Sequence, residues 1–490
     1  MNILTISLEK KKGSPMYGQI YEYIRDEIQS GKILAGEKLP SSRTLASHLG
    51  VSRSTVDLAY EQLLAEGYMI SQPCRGYFAC EVDQLYQIPR VNSKYKESIP
   101  EKQKYRYDFS VSGIDRDGFP YQTWKKISKN VLAEDDGRLF QLGDSQGEES
   151  FRQEIASYLH HARGVNCKPE QIIVGAGNDY LLLLLHIILG MGWKIAMDNP
   201  TYLSAYQDFK KMGYEVFPLE PDEMGMNLQK LQKSGANLAY VMPSHQFPLG
   251  SVMPIQRRQQ LLSWAAAEEG RFLIEDDYDS EFRYKGKPIP SLQGYDSRDK
   301  VIYLGTFSRS LAPAIRISYM VLPQRLLPLY WERGKNFSVT VSRVDQKIVE
   351  IFLRDGHFGR HLNRMRGIYR SKHDCLLTEM KKLRDICTVQ GEHAGVHVLL
   401  KMKNGMSEEE AVRRAAKESV KVYGLSEYCV ENVIEKESEN EKKDMMKRLG
   451  ATVLMGYATL TEDEIREAVT RLEKAWRVPA CGEDNTAFFS

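Results

Sequence analysis

The chain has 490 residues, 42% hydrophobic and 27% charged, an ordinary globular mix that exceeds a single core and implies about three domains of roughly 150 residues each. With 67 Lys and Arg against 65 Asp and Glu the formal net charge is +2, and over residues 1–80 nine basic side chains face eight acidic ones. Bulk charge therefore neither indicates nor excludes a nucleic-acid partner, and any DNA-binding surface must come from placement.

The longest apolar run, Tyr180 to Gly190, is interrupted by His186 and falls short of the about 20 residues that span a bilayer. The N-terminal charges Lys10 to Lys12 follow a short apolar run, the reverse of a secretory signal. Seven scattered cysteines without a C-x-x-C pair suggest neither a disulfide framework nor a zinc site. The expectation is a reduced, cytoplasmic protein with no membrane segment and no metal.

From Pro15 to Ser30 the positions Tyr17, Ile20, Tyr21, Ile24 and Ile28 recur at three- and four-residue spacing, which predicts an amphipathic helix. Ser41-Ser42-Arg43 caps a second helix through Leu49, Gly50 supplies a turn, and Ser52 caps a third that runs to about Ala65. After Gly67, Tyr68-Met69-Ile70 and Tyr77-Phe78-Ala79 bracket Pro73 to Gly76 as a β-hairpin. Three helices and a hairpin over residues 14–80 predict a winged helix-turn-helix. Residues 81–106, broken by Pro89 and Pro100 and without helical or strand period, read as a linker.

Apolar runs then alternate with helical patterns: Ile172 to Val174, Tyr180 to Leu189, Trp193 to Met197, Leu238 to Met242, Phe272 to Ile274 and Val301 to Leu304. Such alternation predicts an α/β fold with a mostly parallel sheet and helices on both faces, here over residues 107–325. Gly395 to Leu400, with helical Ser407 to Glu418 and Thr461 to Trp476, predicts a smaller α+β lobe over residues 326–480. The charge run Glu435 to Lys447 reads as a solvated helix or loop.

Two regions carry chemistry. Ala46, Gly50 and Val56 have the spacing that a helix-turn-helix needs where its helices cross, turn and lock. The start of the third helix, Ser52-Arg53-Ser54-Thr55, presents short hydroxyls and a guanidinium fork suited to phosphates and guanine edges in the major groove. Arg43, with Arg75 and Gly76 of the wing, is placed for backbone or minor groove. Taken singly, each is equally an ordinary solvated surface residue. Further on, Gly175-Ala176-Gly177-Asn178-Asp179 follows a strand and opens a helix, either a phosphate cradle or a tight connection. Glu275-Asp276-Asp277-Tyr278-Asp279 sits at the carboxyl end of a strand, where packed acids need a cationic partner unless they are surface acids.

Pro40 to Arg43, Gly50 to Arg53, Ala59-Tyr60 and Ala65 to Tyr68 resemble the GntR-type winged helices. Asn199 to Tyr202, Pro243 to Gly250, Glu275 to Phe282 and Gly305 to Tyr319 resemble fold-type I aminotransferases. The combination is similar to the MocR family of transcriptional regulators, in particular its GABA-sensing type. The resemblance implies a DNA-binding, head-to-tail homodimer whose aminotransferase-like domain holds pyridoxal 5'-phosphate (PLP) or a related pyridoxal species. It implies that Gly177, Asn178, Thr306, Ser308 and Arg316 hold the phosphate. Tyr202 then stacks on the ring, Asp276 pairs with the pyridine nitrogen and Tyr278 bonds the ring hydroxyl.

Two departures follow. Arg309 stands where the family carries its Schiff-base lysine, and an always-protonated guanidinium cannot form that bond. Lys285 and Lys287 lie in a different segment, and Leu203-Ser204 and Thr459 occupy the places of the arginines with which the GABA sensors grip an effector carboxylate. The implied protein is a regulator that binds a double-stranded DNA operator; the effector of the GABA sensors does not carry over to it, and its own small-molecule effector is unknown. Its cofactor, if bound at all, is non-covalent, and no residue is assigned as catalytic. The alternatives are an active PLP-dependent aminotransferase with an accessory DNA-binding domain, and a constitutive DNA-binding dimer with a vestigial cleft.

Overall fold

The computed structural model describes residues 6, 8, 15–81, 105–133, 137–284, 289–392, 394–430 and 449–477. Most of the linker expected over 81–106, the charge run 435–447, Lys285 and Lys287 lie outside the described residues. The chain forms two compact units, Met1–Glu101 and Lys102–Ser490.

In the first unit, α1 (Met16–Gln29) buries Ile20, Ile24 and Ile28. Strand β1 (Lys38–Leu39) leads into α2 (Ser42–Leu49) and α3 (Arg53–Ala65). The turn between the two helices rests on Gly50, whose φ of 65° is the left-handed value that glycine tolerates. Each helix starts on a serine whose side chain accepts a backbone N–H: Ser41 from Thr44, and Ser52 from Thr55 at 3.2 Å. Ala46 and Val56 are buried in the core that α1, α2 and α3 share. The hairpin β2 (Met69–Gln72) and β3 (Gly76–Ala79) closes the domain, with the short β1 added to it in the order β1-β3-β2.

The second unit opens with β4 (Tyr107–Asp108), then helices α4 (Tyr121–Ala133) and α5 (Glu149–Arg163). Its seven-stranded sheet contains β5 (Ile172–Gly175), β6 (Lys194–Asp198), β7 (Glu215–Leu219), β8 (Leu238–Val241), β9 (Phe272–Asp277), β10 (Val301–Thr306) and β11 (Ser318–Val321). The order is β5-β11-β10-β9-β8-β6-β7, parallel except for β11, which runs against both neighbours. Alternate residues face opposite layers. Ile173, Ile302 and Leu304 pack with α6 (Asn178–Leu189) and α7 (Leu203–Lys211). Ile172, Val174 and Tyr303 pack with α5, and Ala239 and Leu273 with α9 (Ile255–Ala266). These strands are buried on both faces, which is why they read as continuous apolar runs.

The smaller lobe is an antiparallel sheet of β12 (Cys387–Gln390), β13 (His397–Met402), β15 (Tyr423–Gly424) and β16 (Thr452–Gly456), in the order β12-β13-β16-β15. Helices His357–Met380, Glu408–Lys417 and Glu462–Arg477 share a core with it. The first strand of the unit belongs here too: β4 pairs in parallel with β14 (Val420–Lys421), and Tyr107 and Phe109 join this core. Among the described residues no helix is long and apolar enough to cross a membrane, and no group of three or more His, Cys, Asp or Glu is placed to hold a metal ion.

Candidate functional site

On the first unit, Arg43, Ser52, Arg53, Ser54 and Arg75 are exposed, while Thr55 and Gly76 are half-buried. The expected face is therefore open to solvent, but its members are not equivalent. The Ser52 hydroxyl is committed to the helix cap and lies 2.7 Å from Thr55 Oγ1 and 2.9 Å from Ser54 Oγ. Among the described residues Arg53 makes only a loose ion pair, 3.5 Å from Asp57, and its side chain is largely exposed. In the wing, Arg75 lies over the Phe78 ring at 5.8 Å, and Gly76 has φ 105° beside the Lys38 side chain.

In the second unit, strand register gathers the site. Gly175 at the end of β5 pairs with Ser318 at the start of β11, Ser318 with Thr306 at the end of β10, and Leu304 with Asp276 near the end of β9. All lie at the carboxyl edge of the parallel strands, where open α/β sheets build their sites. A cavity of about 390 Å³ opens there, and all eight residues named from the resemblance line it: Gly177, Asn178, Tyr202, Asp276, Tyr278, Thr306, Ser308 and Arg316. Arg309 lines it as well, and no lysine is among its described lining residues.

At one end Gly177, φ 97°, begins α6, and a Cβ there would fall 2.1 Å from an Arg316 nitrogen. Arg316 itself has φ 53° and folds back to bond the Ala176 carbonyl at 3.2 Å and Asp179 at 3.4 Å. Only a glycine lets this guanidinium reach the helix start, so cation and open backbone N–H groups face one spot. The Thr306 hydroxyl accepts from Ser308 N at 3.1 Å and Ser318 Oγ at 2.8 Å, fixing the turn that follows β10. Among the described residues the Ser308 hydroxyl has no protein partner.

The acid run on β9 is split by the strand's alternation. Asp277 is buried against Arg163 at 2.8 Å and accepts from Tyr303 OH at 2.6 Å. Burial alone would raise its pKa, but Arg163 and Tyr303 reverse this and leave it below the ordinary carboxylate range. Glu275 accepts the backbone N–H groups of Leu292 and Gln293 at 2.7 and 2.8 Å. Asp276 points the other way, into the cavity, and among the described residues only the Tyr240 hydroxyl is bonded to it. Burial without a cationic partner pushes it up to about 7. None of the three is a surface acid.

Arg309 Nη2 donates to the Val111 carbonyl at 2.5 Å and Nη1 to that of Gly113 at 3.2 Å. Tyr278 OH lies 3.0 Å from His245 Nδ1, which is also 2.8 Å from Asp279. His397, 5.0 Å from the His245 ring, is pushed down to about 3 by burial and then by that neighbour, so it is neutral at physiological pH. Ser110, Val111, Ser112, Tyr423 and Tyr428 also line the cavity, and no motif pointed to them. They arrive from the segment after β4 and from the smaller lobe, across more than a hundred residues of sequence.

The two units define a winged helix-turn-helix joined to an aminotransferase-like fold. Residues 16–78 match the bacterial regulatory proteins of the gntR family, and residues 111–472 match aminotransferase class I and II. The chain is 39% identical to the uncharacterized HTH-type transcriptional regulator YdeL of Bacillus subtilis (strain 168), over 97% of this chain and 100% of that one. It is 30% identical to the HTH-type pyridoxine biosynthesis transcriptional regulator PdxR of Corynebacterium glutamicum, covering 87% and 91% of the two chains. To the probable rhizopine catabolism regulatory protein MocR of Rhizobium meliloti it is 29% identical, over 96% and 95%. Among solved structures it is similar to the multiple substrate aminotransferase of Thermococcus profundus, with a TM-score of 0.66 at 24% identity over 77% of this chain and 92% of that one. The chain belongs to the family of HTH-type transcriptional regulators that join a GntR domain to an aminotransferase class I and II domain.

That fold implies pyridoxal phosphate binding, and the residues present fit the group. The Gly177 turn lets the Arg316 guanidinium lie at the start of α6, where a Cβ would strike it, and Asp276 is a buried carboxyl lacking the cation that a pyridinium would supply.

Two outcomes follow. Ser52→Ala should destabilise the winged helix by about 1 kcal/mol through loss of its cap. Arg53→Ala should leave stability unchanged and weaken specific DNA binding by about 1–3 kcal/mol. Thermal melts and gel retardation on the two variants separate these roles. For Asp276, the folded pKa of about 7 exceeds the ordinary 3.8, so the folded state keeps a proton that the unfolded chain has lost across that window. Its contribution to stability therefore falls as pH rises from about 4 to about 7, and stays low above. In urea unfolding of cofactor-free protein, Asp276→Asn should gain a few kcal/mol relative to wild type between about pH 5 and about pH 8. An equal difference at both would contradict the assignment.

Proposed function

We propose that this chain is a cytoplasmic, MocR-type regulator that binds a double-stranded DNA operator as a head-to-tail homodimer, and whose aminotransferase-like unit senses an effector without catalysing transamination. The observation that carries this reading is Arg309, lining the cavity among the eight cofactor-type residues with no lysine among the described lining residues. A guanidinium remains protonated at any protein pH and its nitrogens are poor nucleophiles, so covalent capture of an aldehyde is closed to it.

When bound, pyridoxal phosphate supplies an electrophilic aldehyde on an electron-withdrawing ring. The chain's own residues then bind and orient. Gly177, Asn178, Thr306, Ser308 and Arg316 hold the phosphate through backbone N–H groups, hydroxyls and one guanidinium. Tyr202 covers a ring face, Tyr278 meets the ring hydroxyl, and Asp276 ionises against the ring nitrogen, which relieves its unpaired burial. An effector that prefers one of two dimer arrangements changes the angle or spacing of the winged helices on two half-sites, by no more than its difference in affinity for the two.

The aminotransferase reading draws support from the fold of the solved neighbours and requires a lysine at position 309. Wild type mixed with PLP should keep no visible absorbance band through gel filtration, and Arg309→Lys should keep one, because ring and phosphate contacts already position the aldehyde. A retained band in wild type, together with turnover of an amino acid, would establish the enzyme instead.

A further inference from the structure

The cavity holds four charged side chains: Asp179, Asp276, Arg309 and Arg316. Arg316 and Asp179 pair with one another, and Asp276 accepts from Tyr240 and meets the ring nitrogen in the reading above. Arg309 is different. Its two bonds go to the carbonyls of Val111 and Gly113, which orient the fork without neutralising it, and among the described residues it makes no ion pair. Three of its five N–H donors remain. The other polar groups lining the cavity near the carbonyl that it bonds are the neutral hydroxyls of Ser110 and Ser112. His397, whose ring lies 5.0 Å from that of His245, is held neutral by burial. Arg309 lines the cavity together with Tyr202, Tyr278 and Tyr428, and its charge lowers in each a pKa that burial raises.

We propose that Arg309 is the receptor for a carboxylate, so that the ligand of this cavity is doubly anionic: a phosphate at the Gly177 and Arg316 end and a carboxylate on Arg309. The inference rests on the phosphate-site reading given above and goes beyond it by naming the second group. A phosphorylated pyridine alone leaves the guanidinium unneutralised in a half-buried site, which is costly. A phosphopyridoxyl group joined to an amino acid supplies both anions on one molecule. Planar, bidentate recognition of carboxylate is what a guanidinium held at two of its nitrogens is shaped for. The residue that removes covalent attachment thereby sets specificity for a preformed adduct.

The test is calorimetric titration of the full-length protein with two probes, pyridoxamine 5'-phosphate and N-(5'-phosphopyridoxyl)glycine, which adds only a carboxymethyl group. Wild type should bind the glycine adduct at least about tenfold more tightly, as one charge-assisted pair provides. Arg309→Gln keeps an amide donor for the Val111 carbonyl and loses the charge, so the preference should vanish while affinity for pyridoxamine 5'-phosphate stays. Arg316→Ala should weaken both probes. Equal binding of the two probes by wild type, which needs no variant, overturns the carboxylate receptor and leaves the phosphate site standing. A preference that survives in Arg309→Gln also overturns it. If neither probe binds wild type, both readings fall.

Discussion

Strand β11 runs against its neighbours, and the candidate site depends on that reversal. A parallel strand in its place would require the chain leaving β10 at Thr306 to cross to the opposite edge of the sheet before returning. Because β11 is antiparallel, the chain turns back at once, and everything from Thr306 to Ser318 stays at the carboxyl edge. That single connection supplies Ser308, Arg309 and Arg316. Pairing of Ser318 with Gly175 then sets the same connection beside the Gly177 turn, so the guanidinium of Arg316 and the start of α6 meet without any long-range motif.

Electrostatics divides the site into parts with different obligations. On β9 alternate residues face opposite ways, so three consecutive acids meet three environments. Glu275 has backbone donors, Asp277 has a buried arginine, and Asp276 has a tyrosine hydroxyl and a cavity. Burial raises the pKa of both Glu275 and Asp276, and of the two it is Asp276 that lines the cavity, where a ligand cation can reach it. Arg309 is its converse, a cation wanting an anion, held by carbonyls a short distance along the chain from β4.

Much of this was legible in the sequence. The three helices of the winged helix fall within a residue or so of their expected ends because capping serines and glycines mark them locally. The buried parallel strands announce themselves as apolar runs. The misses have physical causes. Strand β7 contains Pro218, which a central strand would not tolerate but an edge strand does, and β7 is at the sheet's edge. Helix His357–Met380 carries an apolar stripe interrupted by Lys372 and His373, which are buried; Lys372 is there to bond Asp115, a partner more than two hundred residues away. Ser110, Val111, Tyr423 and Tyr428 could not be placed at the cavity, since only the pairing of β4 with β14 and the meeting of the two lobes bring them to it. The resemblance named eight residues that converge on one cavity. It did not reveal that Arg163 goes to Asp277 and that Asp276 is the acid turned into the cavity, which is a property of strand alternation.

The central claim is that this cavity holds its pyridoxal ligand without a covalent bond. The direct measurement is borohydride reduction of the native protein with excess PLP, followed by peptide mass mapping. The account predicts no phosphopyridoxyl lysine within the aminotransferase-like unit beyond the scattered surface labelling that an Arg316→Ala control shows equally. A single lysine of that unit labelled stoichiometrically, and lost in the control, would contradict it.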